Sequence, residues 1–244
     1  MEILTIVPAR SGSKGLPKKN ILPLNGHPLL SYSIAAGLQT KEITRVICST
    51  DKKEIGDIAQ RYGAEVPFLR PPALAEDGSR DIGCFEHALQ WLRNNENYIP
   101  DFVINLRPTS PIRFVEDIQR AIKIIKSNDL IDSVRSICTP TTTPYKMWKK
   151  DNSDFMTPLL KLTNDPEPYN SARQDLPEVW AQTGAIEVMR ENTISGLKSM
   201  SGANIAGIEI SEERYSDIDN ANDFLKPEVM LSHLACVRPT LKDS

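Results

Sequence analysis

The chain has 244 residues, 40% hydrophobic and 25% charged, with a formal net charge of −3. This ordinary globular make-up predicts one α/β domain over 1–244 with a sizeable core. The slightly acidic balance excludes a broadly basic nucleic-acid-binding surface. No apolar run approaches the roughly 18 residues of a membrane span, so no membrane partner is expected and the cytoplasm is the expected compartment. The cysteines at 48, 84, 138 and 236 form no CxxC pair and read as buried free thiols.

Ile3–Val7 is a short β-branched run that fits a buried parallel strand. Apolar residues at 29, 30, 34, 35 and 38 then mark a helix over Pro28–Leu38. Arg45–Ser49 reads as a second strand, followed by a helix to about Tyr62 with Asp51 as its N-cap. Glu65–Leu69 reads as a third short strand, and Arg70-Pro71-Pro72 as a rigid extended stretch. A helix over Ile82–Arg93, a strand over Phe102–Leu106, a helix over Val115–Lys126 and a strand over Ser133–Cys138 follow. Strands alternating with helices at this spacing predict βαβ units in a mainly parallel three-layer sandwich.

The rhythm breaks at Thr139. From there to Trp180 the chain is rich in Pro, Thr, Asn and charge, without a helical stripe. A β-arm leaving the core or a disordered lid would each account for so long an irregular segment. Strands are predicted again at Gly184–Met189 and Ile205–Ile210, and a last helix at Asp219–Leu231, interrupted near Pro227.

In an open α/β sheet, ligands bind beyond the carboxyl ends of the strands. Three polar constellations fall there: Arg10–Asn20, Arg70–Asp81 and Arg107–Arg113. The first carries Gly12 and Gly15, whose backbone allows close approach to phosphate, and the cations Arg10, Lys14, Lys18 and Lys19. No acidic residue occurs between Glu2 and Glu42. A solvated basic face is the alternative reading of the charge alone. The loop matches neither GxxxxGK[ST] nor GxGxxG, which disfavours a P-loop ATPase and a dinucleotide-dependent oxidoreductase. Far along the chain, Asp217 and Asp219 stand at i and i+2 in an extended segment, on the same side. They offer hard oxygen ligands for Mg²⁺. The alternative is a helix N-cap at Asp219 with Asp217 in solvent.

The stretch Pro8-Ala9-Arg10-Ser11-Gly12-Ser13-Lys14-Gly15-Leu16-Pro17-Lys18-Lys19-Asn20 resembles the signature loop of the CMP-N-acylneuraminate synthetases, or acylneuraminate cytidylyltransferases. The likeness continues through Leu69-Arg70-Pro71, Arg107-Pro108-Thr109-Ser110-Pro111-Ile112-Arg113, Arg173-Gln174-Asp175-Leu176-Pro177 and Ser216-Asp217-Ile218-Asp219, in the family's order. The resemblance implies a Rossmann-like αβα sandwich of the nucleotide-diphospho-sugar transferase type. It implies a reaction of CTP with a nonulosonic (sialic-type) acid to give the CMP-sugar and pyrophosphate, with Mg²⁺ as cofactor. By the same resemblance, Ala9, Arg10, Ser13, Lys14, Lys19 and Asn20 hold the triphosphate, and Arg70 and Ser79 face the cytosine and ribose. Arg107, Thr109 and Ser110 line the sugar pocket. Asp217 and Asp219 hold the metal, and these two with Arg10 and Lys19 carry the catalysis. A surface arginine after a strand is the plain alternative for Arg70.

The segment 139–180 matches the family's dimerisation arm, so a homodimer is expected in which Lys146 and Arg173 contact the neighbour's substrate. A lid over its own subunit is the other reading. The sequence departs from the pattern in three places. Arg107 stands where sialic-acid-activating members have Gln, Ala181 where an arginine is frequent, and Asp81 where Ser is common. A cation lost at 181 and gained at 107 suggests that the sugar carboxylate is gripped from a different wall. A legionaminate- or pseudaminate-type sugar, a 3-deoxy-manno-octulosonate enzyme, and a catalytically silent nucleotide-binding module therefore stay open.

Overall fold

The computed structural model describes residues 1–12 and 15–242. Among these described residues ten strands form in chain order: β1 Ile3–Pro8, β2 Pro23–Leu24, β3 His27–Pro28, β4 Arg45–Ser49, β5 Phe102–Asn105, β6 Ser133–Cys138, β7 Trp148–Lys150, β8 Met156–Pro158, β9 Ala181–Arg190 and β10 Ile205–Glu209. The α-helices are α1 Leu29–Gln39, α2 Lys53–Arg61, α3 Asp81–Glu96, α4 Val115–Ser127, α5 Glu191–Ser195 and α6 Leu225–His233. Six strands make the central sheet in the order β10-β6-β9-β5-β1-β4. All pair parallel except β9, which is antiparallel to both β5 and β6.

The apolar strand runs put side chains on both faces of the sheet, so both faces are covered by helices. Leu4, Ile6 and Val103 pack with Phe85 and Leu89 of α3. Ile104, Val134 and Val188 pack with Ile118, Ala121, Ile122 and Ile125, the predicted stripe of α4. All four cysteines are free and buried. Among the described residues, no helix is long and apolar enough to cross a membrane.

Three local expectations give way. Glu65–Leu69 is no strand; it makes one bridge, Ile47 to Glu65, because Pro67 has no N–H to continue a ladder. Asp51 does not cap α2, which starts at Lys53 with no side-chain cap, because its carboxylate is engaged by Ser11. The last helix does not begin at Asp219. A 3-10 turn, Ala221–Phe224, is closed by an Asn220/Asp223 capping box, and α6 follows with Pro227 in its first turn, where no N–H is needed and nothing is interrupted.

Between β6 and β9 the chain leaves the sheet. There β7 and β8 pair only with each other, Trp148 opposite Pro158 and Lys150 opposite Met156. Phe155 is 80% exposed and Met156 55% exposed on this hairpin.

Candidate active site

The chain goes from β1 out to β4 and returns to β5 on the other side of β1, so the sheet order reverses between β1 and β5. A crevice opens at such a point, beyond the carboxyl ends. A cleft of about 390 Å³ lies there. Pro8, Arg10, Gly15, Lys19 and Asn20 form one wall, and Arg107, Pro108 and Thr109 the other. Arg70, Asp81 and Asp219 complete it.

The first wall is fixed by polar ties at both ends. The amide of buried Ala9 donates to the Ser49 carbonyl (2.9 Å), and the Asn20 side chain donates to the Arg10 carbonyl (2.8 Å). Ser11 donates to Asp51 from its amide (2.7 Å) and its hydroxyl (2.6 Å). Burial alone would raise the Asp51 carboxyl pKa, but these two bonds, with a bond from its own backbone amide and the Arg70 charge, together hold it below the usual carboxylate value. Arg10 donates to the Glu76 carbonyl (2.5 Å) and lies 3.5 Å from Asp77. Ser13 and Lys14 lie outside the described residues.

Across the cleft, the Ile218 amide donates to the Thr109 carbonyl (2.9 Å), which strings the acidic segment along the loop after β5. Ile218 is fully buried, while Asp217 and Asp219 keep exposed surface on either side of it. Lys19 joins the two walls: its ammonium donates to the Ile218 carbonyl (2.7 Å) and lies 3.5 Å from the Asp219 carboxylate. Although Asp217 keeps exposed surface, the protein packed around its carboxyl desolvates it enough to raise the pKa above its usual value, and nearby Asp219 adds to this, against a hydrogen bond from Thr109. Burial raises the Tyr215 phenol to about 12, with Asp217 and Asp219 contributing.

Arg70 is 5% exposed and donates to the Ser49 hydroxyl (3.1 Å) and carbonyl (2.6 Å), so only its edge reaches the cleft. Ser79 is outside the lining and donates to the Ala73 carbonyl (2.9 Å). Ser110 is 1% exposed and does not line the cleft. Lys146 and Arg173 lie on the 139–180 segment, away from this lining; Arg173 donates to the Pro140 carbonyl.

Two further residues support the second wall. Glu187, 1% exposed on β9, accepts from Asn105 (2.7 Å), Gln182 (3.0 Å) and Arg135, and lies 3.4 Å from Arg107. A single acid inside the apolar run Gly184–Met189 was the sequence signal for it. Arg113, 2% exposed, donates to the carbonyls of Ala185 (2.8 Å) and Arg107 (2.6 Å) and to the Ser33 hydroxyl (3.0 Å), setting the curve of the loop. Burial lowers the pKa of its guanidinium to about 9, so it stays cationic at neutral pH.

A family model described as cytidylyltransferase matches residues 4–195. The chain belongs to the cytidylyltransferase family. Relatives of the chain include the CMP-N,N'-diacetyllegionaminic acid synthase of Legionella pneumophila, 43% identical over 52% of this chain and 54% of the relative. The N-acylneuraminate cytidylyltransferase of Escherichia coli is 34% identical over 91% of this chain and 50% of its own length. The pseudaminic acid cytidylyltransferase of Campylobacter jejuni is 30% identical over 76% of this chain and 77% of its own. The chain thus spans about half the length of the first two relatives. Among solved structures, a CMP:2-keto-3-deoxy-manno-octonic acid synthetase complexed with CTP shares the fold, with TM-score 0.70 at 14% identity over 95% of this chain and 99% of that one.

Cytidylyltransferases of this kind generally use a divalent metal. The acidic pair fits one. Asp219 lines the cleft, and Asp217, two residues before it, lies outside that lining; both keep exposed surface and offer hard oxygen donors. Among the described residues no group of three acidic, histidine or cysteine side chains gathers, so such an ion would draw its other ligands from phosphate oxygens and water.

Proposed function

We propose that this chain activates a nonulosonic acid, joining it to the CMP moiety of CTP with release of pyrophosphate. The observation that carries the reading is the contact between the glycine-rich cationic loop and the acidic pair, made by Lys19 against Ile218 and Asp219. A loop that binds triphosphate and carboxylates that bind a metal are of use together when a phosphoryl centre lies between them. The activities for which the Legionella, Escherichia and Campylobacter relatives are named support a nonulosonate, and the CTP in the octonic acid synthetase supports the nucleotide.

In this reading the anomeric hydroxyl attacks the α-phosphorus in line with the leaving pyrophosphate. Arg10 and Lys19 hold the triphosphate and offset charge that builds on the α-phosphate and the pyrophosphate. Asp217 and Asp219 would hold Mg²⁺, which supplies further charge neutralisation when bound. Thr109 positions Asp217 and, through its carbonyl, the segment that carries it. Among the described residues no histidine lines the cleft, so the reaction rests on positioning and charge. The exposed apolar hairpin of the 139–180 segment supports a homodimer in which Lys146 and Arg173 reach the partner's cleft.

The test is pyrophosphate release from CTP, UTP and GTP against a panel of neuraminic, legionaminic, pseudaminic and 3-deoxy-manno-octulosonic acids. Turnover with CTP and one or more nine-carbon acids is expected. Preference for the eight-carbon acid would shift the assignment to the shorter ulosonate, and no turnover by folded protein would remove the enzyme reading.

A further inference from the structure

Two of the residues that set this sequence apart from its family's usual pattern meet in the cleft. Arg107 Nη2 donates to Asp81 Oδ2 at 2.8 Å. Behind the guanidinium stands buried Glu187, 3.4 Å away. Beside it is Gly184, at φ +69°, where a Cβ would come within 3.0 Å of Arg107 Nη1. The guanidinium is therefore backed by fixed groups and met from the cleft by one exposed carboxylate, half of whose side-chain surface is open.

The other cleft cations are engaged by the protein: Arg10 by the Glu76 carbonyl, Lys19 by the Ile218 carbonyl and Arg70 by Ser49. Arg107 alone among the four stands on the wall after β5, opposite the loop proposed to hold the triphosphate. A sugar acid brings a carboxylate of its own to this wall. We propose that Asp81 is a specificity-determining residue that occupies Arg107 in place of the substrate's carboxylate and is displaced by it. This rests on the nonulosonate reading given above.

The exchange is physically inexpensive. A half-exposed ion pair contributes little, because solvent screens it. Once released, Asp81 remains in the first turn of the sixteen-residue helix α3, where the helix dipole favours an anion. Glu187 stays behind the guanidinium throughout and prevents it from following Asp81 away from the wall. A neutral sugar cannot compete for the guanidinium, so the pair selects for acids and sets a threshold for their binding.

The test is steady-state pyrophosphate release by wild type, Asp81→Asn, Arg107→Gln and the double variant, varying the sugar acid at saturating CTP. Asp81→Asn is expected to lower KM for the acid by about two- to fivefold, the range an exposed ion pair allows, with KM for CTP unchanged. In the Arg107→Gln background the same substitution should have no effect. As an inhibitor, the amide of the same sugar should bind equally to wild type and Asp81→Asn. An unchanged or raised KM in Asp81→Asn, or an equal effect without Arg107, overturns the proposal while wild-type turnover leaves the function standing. Wild type that turns over no acid removes both. Circular dichroism melts monitor folding, and Asp81→Ser substitutes if Asp81→Asn is unstable.

Discussion

The Asp219 carbonyl oxygen lies 2.5 Å from where a Cβ on Gly15 would stand. The glycine thus lets the loop proposed to hold the triphosphate lie directly on the backbone of the acidic segment. Because the obstructing atom is backbone, a methyl group there must move one strand of the site against the other. Gly15→Ala should cost about 1–3 kcal/mol of stability and raise the Mg²⁺ concentration needed for half-maximal turnover. Urea unfolding and a metal titration of the rate check the two effects.

Lys19 keeps only 12% of its side chain exposed and reaches both walls of the cleft. Lys19→Met keeps most of the apolar stem and removes the charge. The expected result is a fall in kcat of about 10²-fold or more, the scale for losing one charge-stabilising donor, with the melting transition nearly unchanged. An intact kcat would remove Lys19 from the catalytic set.

Asp51 anchors the loop through Ser11, and its folded-state pKa is depressed. Its ionised form is the one the folded state prefers. The resulting stability is full above the unfolded carboxyl's pKa of about 3.9 and drains away as pH falls through the lower folded value. Asp51→Asn should therefore be less stable than wild type at pH 7, and the gap between their urea midpoints should close as pH falls below about 4.

Glu187 holds Arg135, Asn105 and Gln182 at the buried foot of the second wall. Glu187→Ala leaves Arg135, 8% exposed, without its carboxylate partner. The expected cost is about 3–5 kcal/mol, the scale for breaking a buried pair from one side. Chemical denaturation measures it, and a loss under 1 kcal/mol would mean that water takes over the role.

The hairpin of β7 and β8 carries Phe155 and Met156, both well exposed. Paired Asp substitutions at these positions should convert a dimer to monomer in size-exclusion chromatography with light scattering. If wild type is itself monomeric, the arm is a lid.

The sheet was legible because its strands are short β-branched runs closed by polar turns, and α4 because its four apolar positions share a face. Direction was not legible: Gly184–Met189 reads as a strand of either sense, and only pairing shows that β9 runs against its neighbours. The Asp51 carboxylate could serve a helix or a loop, and Ser11, 40 positions earlier, decides between them. Residues from all three polar constellations at strand ends line one cleft. Whether Arg107 was free or engaged depended on Asp81 and Glu187, contacts made across distant segments that local pattern does not encode.

The antiparallel course of β9 has a consequence for how the molecule can be altered. Cys138 at the end of β6 pairs with Ala181 at the start of β9, so the 139–180 excursion leaves and rejoins the sheet side by side, on the edge that carries the cleft. A segment rooted in this way is a graft point. Doubling its length would cost only about 0.6 kcal/mol in closure entropy and leave the strand register untouched. Arms exchanged between relatives at these two residues would then sit on one unchanged sheet.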